Sequence, residues 1–246
     1  MSYTQIAKYS YMNNFEWKNK NNAIFYDQIP KELFDKTALE SGLNSGCDID
    51  ILQPYINSAR TILEIGSGYG RVVQYILQFN FAGKLYALER NHKMCEHLRE
   101  NFCHSVDIIE QDVFDFKTEK KFDLILACWT TICEFSKEEQ SVLIKKLSNM
   151  LTADGKLVFD SIFDKPRNSS YCNCQNHVVH NEYSSLYGYI PSLAEIKAYA
   201  LDSNFKTTKI IYYITDSNRE RAMFVLSNNT DVSNSQNLLL ENVMFA

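Results

Sequence analysis

No stretch of this chain approaches the 18 or so consecutive apolar residues that a membrane-crossing helix needs. Its first residues, Met1-Ser2-Tyr3-Thr4-Gln5-Ile6, lack the basic segment and apolar core of a secretory signal. Neither a membrane span nor a signal peptide is expected. Positive charge is also short, with 25 Lys and Arg against 30 Asp and Glu for a formal net charge of -5. That balance argues against a broad phosphate-binding face, so no nucleic-acid partner is expected. A disulfide framework is missing as well: the seven cysteines are odd in number and scattered, and several fall in apolar segments. This usage reads as a reduced, cytoplasmic protein. No internal repeat is present, and 246 residues suffice for one α/β domain with a small addition.

What is there begins with Ile62-Leu63-Glu64-Ile65-Gly66-Ser67-Gly68-Tyr69-Gly70-Arg71, an apolar strand ending in an acid, three alternating glycines and the start of a helix. Glycines without a Cβ let the chain turn sharply and a ligand lie against the backbone, with the free N–H groups of a helix N-terminus behind them. A second strand, Lys84 to Leu88, ends in Glu89, where a ribose diol would be gripped. A third, Val106 to Glu110, runs into Gln111-Asp112-Val113, and a fourth, Phe122 to Ala127, ends at Cys128-Trp129-Thr130-Thr131. Four strand ends therefore converge on one edge.

With these residues in place, the chain resembles the class I S-adenosylmethionine-dependent methyltransferases, whose first motif is an acid followed by Gly-x-Gly-x-Gly. The resemblance spans roughly residues 50 to 227. It implies S-adenosylmethionine as the cofactor, held by Glu64, Gly66, Ser67, Gly68, Gly70, Arg71, Glu89, Arg90, Asp112, Val113, Cys128 and Trp129. Within that set Glu89 would take the ribose hydroxyls, Asp112 the adenine amino group and the Val113 backbone the adenine ring. Asp107, Glu110 and Asp115 lie close enough in sequence to compete with Asp112. A nicotinamide dinucleotide fold shares the strand, glycine turn and distant acid. Its Gly-x-Gly-x-x-Gly pattern, however, places its third glycine at position 71, which is Arg71. Glu64 also suits a ligand with an ammonium group and would repel a pyrophosphate.

The expected fold is α/β, a Rossmann-like, mostly parallel seven-stranded sheet with helices on both faces, a closing antiparallel hairpin and an N-terminal helical lid. Residues 1–58 form the lid, 59–227 the core with an insertion at about 163–190, and 228–246 a C-terminal tail. Pro30 opens a helix through Leu33, Phe34 and Leu39, and Asp48 or Asp50 caps a short helix from Ile51 to Ile56. Strands are read at 60–65, 84–88, 106–110, 122–128 and 156–161, and helices at 70–80, 91–102 and 137–151. Asp154-Gly155 reads as the stop of the last of these helices. The stretch from Phe163 to Tyr189 reads as irregular, and the hairpin turns at Asp216-Ser217-Asn218 between strands near 206–215 and 219–227. The apolar tail after Asn237 reads as docking on its own domain.

Methyl transfer from a sulfonium is an in-line displacement, so positioning carries much of the acceleration and no triad is required. The candidates for a base are Glu134, His177 and His180. The segment from Cys128 to Glu134 lacks the Asn or Asp followed by Pro-Pro and an aromatic that nucleic-acid amine methyltransferases carry, and Trp129 offers a ring face for a cation. Cys128 and Cys133 read as inert buried thiols. Cys172, Cys174, His177 and His180 crowd within nine positions, too tight for a usual zinc site, so no metal is expected. The acceptor is read as a small molecule methylated on nitrogen or oxygen by a monomer or homodimer. A protein acceptor and a silent S-adenosylmethionine-binding protein are the alternatives.

Overall fold

The computed structural model describes residues 15–162, 176–180, 185–229 and 241–242, with side chains omitted for 15–19, 176–180 and 241–242. Four helices come first: α1 (Phe15–Gln28), α2 (Lys31–Ser41), α3 (Cys47–Asp50) and α4 (Gln53–Ser58). An alternating unit follows, with β1 (Thr61–Ile65), α5 (Arg71–Gln78), β2 (Lys84–Glu89), α6 (His92–Phe102), β3 (Val106–Glu110) and β4 (Phe122–Ala127). A 3-10 turn at Thr131–Glu134 leads to α7 (Lys137–Ser148) and β5 (Leu151–Ile162). Then come β6 (Asn176–His180), β7 (Ser185–Tyr189), α8 (Leu193–Asp202), β8 (Thr207–Ile214), β9 (Glu220–Ser227) and β10 (Glu241–Asn242).

The main sheet runs β10-β8-β9-β5-β4-β1-β2-β3. Strands β1 to β5 are mutually parallel, with Ile62 opposite Leu85 on one side and Leu124 on the other. β9 joins β5 antiparallel and β8 joins β9 antiparallel, which is the closing hairpin. The seven long strands match the expected sheet. β10 adds an eighth of two residues, pairing Glu241 and Asn242 with Ile211 and Tyr212.

Side chains alternate across the sheet because strand periodicity is two. Leu63 and Ile65 of β1 enter a core with Leu143, Ile144 and Leu147 of α7 and Ile196 and Tyr199 of α8. Ile62 enters the opposite core with Ile49, Ile56, Val73, Ile76 and Leu98 from the other layer of helices. Ile62 and Leu63 are both fully buried, each contributing about 1.5–3 kcal/mol by area. Three parallel strands buried on both faces read as near-continuous apolar runs for this reason.

Three local expectations are corrected. Helix α7 ends at Ser148, not near 151, because Met150 and Leu151 leave it to bury against β4: the Phe122 N–H donates to the Met150 carbonyl, and Leu151 pairs with Phe122. Asp154 and Gly155 therefore lie within β5, at a register shift, and stop no helix. Asp48 caps nothing. It sits in the first turn of α3, and its carboxylate binds Arg71. The stretch expected to be irregular holds a two-stranded sheet, in which Asn176–His180 pairs with Ser185–Tyr189. Cys172 and Cys174 lie outside the described residues, and so do the side chains of His177 and His180.

Candidate active site at the strand ends

The carboxyl ends of β1, β2, β3, β4 and β5 open on one cavity of about 580 Å³. That size lies within the ordinary range for small-molecule sites. Gly66, Gly68, Glu89, Arg90, Asp112 and Val113 line one end, and Cys128 and Trp129 the middle. Glu134, Phe135, Ile162, Tyr187 and Gly188 line the other end, roofed by Asn22, Phe25, Tyr26 and Phe34 of α1 and α2.

Glu89 is organised before any ligand arrives. Its Oε1 accepts from the Arg90 and Asn91 N–H groups, and its Oε2 from the Gly68 N–H, all at 2.8 Å. One carboxylate thus fixes both the glycine turn and the end of β2, and Oε2 keeps a lone pair toward the cavity. Asp112 accepts from the Phe114 N–H at 2.8 Å and pairs with Arg90 at 3.3 Å.

The three turn glycines differ in what surrounds them. Gly70 has φ +83°, and a Cβ there would lie 2.6 Å from the Phe102 ring, so its absence lets α6 pack. A Cβ on Gly68 would meet nothing nearer than Phe34 at 4.0 Å. Gly68 therefore keeps open the space that a ligand would occupy.

Glu64, Ser67, Gly70 and Arg71 do not line the cavity but stand behind the turn. Arg71 is clamped by Asp48 at 2.6 and 2.9 Å and by the Leu43 carbonyl at 2.9 Å, with its guanidinium 5.4 Å from the Trp129 ring centroid. Glu64 is 2% exposed and its Oε2 has no hydrogen-bond partner. Burial pushes its carboxyl up to about 8, against the smaller opposing pull of Ser67 and Arg71. A buried acid with an idle oxygen is costly unless a donor arrives. Glu64 thus stands one donor short among its neighbours.

After β4 the backbone is strained. Trp129 and Thr130 have φ of 55° and 62°, left-handed values that non-glycine residues adopt at a cost of about 1–3 kcal/mol each. The Thr130 N–H donates to Asp160 Oδ1 at 2.7 Å, and the Thr131 hydroxyl to the Cys128 carbonyl at 2.8 Å, which holds the turn. The Trp129 ring then meets Phe34 edge-on at 5.6 Å. Burial keeps the Cys128 thiol well above its ordinary value and pushes Cys133 up to about 12, so neither is an available thiolate.

Several lining residues carried no site signal in the sequence. Tyr26 of α1 donates its hydroxyl to Glu134, and burial with that carboxylate beside it raises the phenol well above its ordinary value. The buried Asn22 pairs with the Tyr187 backbone in both directions, at 2.8 and 2.9 Å, tying α1 to β7. Gly188 lets β7 approach the 3-10 turn, since a Cβ would fall 2.3 Å from the Cys133 carbonyl oxygen. Arg219 and Arg221, which line the far end, come from the β8–β9 hairpin about 150 residues after the glycine turn.

Among the described residues no group of three or more His, Cys, Asp or Glu stands ready for a metal, and no helix is long and apolar enough to cross a membrane.

A family model described as a methyltransferase domain matches residues 62–155. An uncharacterized methyltransferase of Bacillus mycoides (strain KBAB4) is 31% identical over 117 residues, 46% of this chain and 53% of that protein. The match thus spans about half the length of the curated relative. Among solved structures, an S-adenosylmethionine-dependent methyltransferase from Clostridium acetobutylicum aligns with a TM-score of 0.61 at 15% identity, covering 81% of this chain and 98% of that one. An amino pentose methyltransferase from Micromonospora echinaspora, solved with S-adenosylmethionine bound, aligns with a TM-score of 0.60 at 14% identity, covering 80% and 97%. The family match begins at β1 and its glycine turn and runs into β5, and the structural likeness extends over most of the chain. Residues 62–155 thus match a methyltransferase domain, and the chain shares the fold of solved S-adenosylmethionine-dependent methyltransferases.

Proposed function

We propose that this protein transfers a methyl group from S-adenosylmethionine to a small-molecule acceptor, with an amine nitrogen as the favoured site. The observation that carries the reading is the single cavity that joins the Gly68–Glu89–Asp112 end to the Tyr26–Glu134 end. Bound at the first end, the cofactor supplies a methyl group on a sulfonium sulfur.

The chain's own residues then act by position. Glu89 would take the donor's hydroxyls through Oε2 and Asp112 with the Val113 backbone a base edge, while Glu64, behind the glycine turn, would offer its idle Oε2 to the ammonium. Trp129, Phe34 and Tyr26 wall the reaction from water, which strengthens the polar contacts inside. The acceptor's lone pair forms the new bond to the methyl carbon as the carbon–sulfur bond breaks and sulfur keeps the electron pair. A protonated amine must first release a proton, and the Glu134 carboxylate, hydrogen-bonded by Tyr26, is the base at that end. His177 and His180 remain candidates of second rank, on the strand that pairs with the lining residues Tyr187 and Gly188. A structural neighbour that is a glycopeptide N-methyltransferase, with a TM-score of 0.61, supports nitrogen.

Calorimetry with S-adenosylmethionine and S-adenosylhomocysteine tests the donor, with a nicotinamide dinucleotide as competitor. Binding in the micromolar range, about -8 kcal/mol, that Gly68→Arg and Glu89→Ala each abolish is expected. Failure of both sulfur ligands to bind sinks the reading.

A further inference from the structure

Two arginines border the far end of the cavity. Donor-end residues come from β1, β2 and β3, whereas Ile162 of β5, Arg219 and Arg221 close the opposite end beyond β4. Arg221 is only 6% exposed. Its Nε donates to Asp160 Oδ2 at 2.9 Å and its Nη2 to the same oxygen, with the Tyr213 hydroxyl also on Oδ2 at 3.3 Å. Asp160 is fully buried and gives its other oxygen to the Thr130 N–H. The charge of Arg221 is therefore offset, and its side chain is locked in place while bordering the cavity.

Arg219 is different. It borders the same end, is exposed, and makes no ion pair among the described residues, while its backbone is pinned by Thr215 at 3.0 and 3.3 Å. Two guanidinium groups, one buried against Asp160 and one exposed, thus border one chamber lined by Phe135, Ile162, Leu186 and Tyr187. A planar guanidinium recognises a carboxylate or phosphate through charge-assisted, paired N–H donors.

Resting on the methyltransferase reading above, we propose that the acceptor carries an anionic oxygen group, carboxylate or phosphate, held by Arg219 and Arg221 at the end of the cavity opposite the donor. The acceptor is then a molecule with an apolar body, its nucleophile toward Tyr26 and Glu134 and its anion toward the β8–β9 hairpin. The substrate discrimination is electrostatic, because Arg219 supplies net charge where Arg221 supplies only an oriented donor.

The test uses the full chain loaded with S-adenosylhomocysteine and a matched set of aromatic probes: phenylacetate, phenyl phosphate, L-phenylalanine, 2-phenylethylamine and benzyl alcohol. Binding is read by ligand-observed NMR and competition. Probes bearing an anion are expected to bind at least about tenfold more tightly than 2-phenylethylamine and benzyl alcohol. Arg219→Glu is expected to erase that preference and Arg219→Gln to reduce it, with affinity for S-adenosylhomocysteine unchanged in both. Preference for phenyl phosphate over phenylacetate assigns the group as phosphate, and the reverse as carboxylate. Neutral or cationic probes binding as well as the anions, an Arg219→Glu profile like the wild type, or no probe binding at all to the loaded protein overturns the proposal while leaving the donor reading intact. Failure of the wild type to bind S-adenosylhomocysteine overturns both.

Discussion

Glu64 concentrates the chemistry of the donor end in one side chain. Desolvation lifts its carboxyl from an ordinary 4.5 to about 8, so the ligand-free native state holds a proton that the unfolded chain has released. Between those two values the unfolded state binds fewer protons, and stability falls as pH rises, by at most about 1.4 kcal/mol per pH unit. Thermal unfolding from pH 5 to 8 is expected to show this decline in the wild type and a flatter profile in Glu64→Gln. A cationic ammonium beside the carboxyl favours its charged form, so donor binding at pH 7 is expected to release up to about one proton. Calorimetry in two buffers of different ionisation enthalpy reads that release, and Glu64→Gln is expected to abolish it. At Gly70 the requirement is steric: Gly70→Ala is expected to cost about 2–3 kcal/mol in denaturant unfolding, because the methyl collides with Phe102 at a positive φ.

At the scale of elements, α1 and the loop after β4 carry the site without belonging to the glycine motif. α1 is fastened on both sides of the cavity, with Asp27 to Asn91 at 2.6 Å on the donor side and Asn22 to Tyr187 on the other. We expect Asn22→Ala to remove both of its bonds to the Tyr187 backbone, to cost about 1–3 kcal/mol, and to speed amide exchange at Tyr187. Asp160 holds the strained turn at Thr130 and compensates the buried Arg221. Removing one partner of a buried pair strands the other charge. Asp160→Ala is accordingly expected to cost about 3–5 kcal/mol and to change Trp129 fluorescence as the turn relaxes.

For the whole molecule, one cavity bounded by α1, α2, five strand ends and the β8–β9 hairpin makes ligand binding and global stability the same measurement. A donor that binds only the native state at 100 times its Kd adds about 2.7 kcal/mol, so S-adenosylhomocysteine is expected to raise Tm and Gly68→Arg to remove the rise. The succession of strands along the chain was legible in the sequence. Each apolar run from β1 to β4 has its helix or turn residue at a definite place, and strands buried on both faces leave few other arrangements. The end of α7 was not legible, because Met150 and Leu151 suit a helix and a strand alike, and only pairing with Phe122 decides between them. The 176–189 hairpin was hidden for a similar reason: its polar, tyrosine-rich sequence lacks a core-facing alternation, and its packing depends on Asn22, over 150 residues away.

The sequence by itself determined the parallel sheet and the glycine turn, because each follows from local periodicity or from residue types at fixed short spacing. The tertiary structure alone decided which side chains face the chamber beyond them. Tyr26 meets Glu134, Asp48 clamps Arg71, and Asp160 joins Thr130 to Arg221 across separations of 108, 23, 30 and 61 residues. Nothing in a local pattern records such pairings, since they arise only when the sheet brings the elements to one edge.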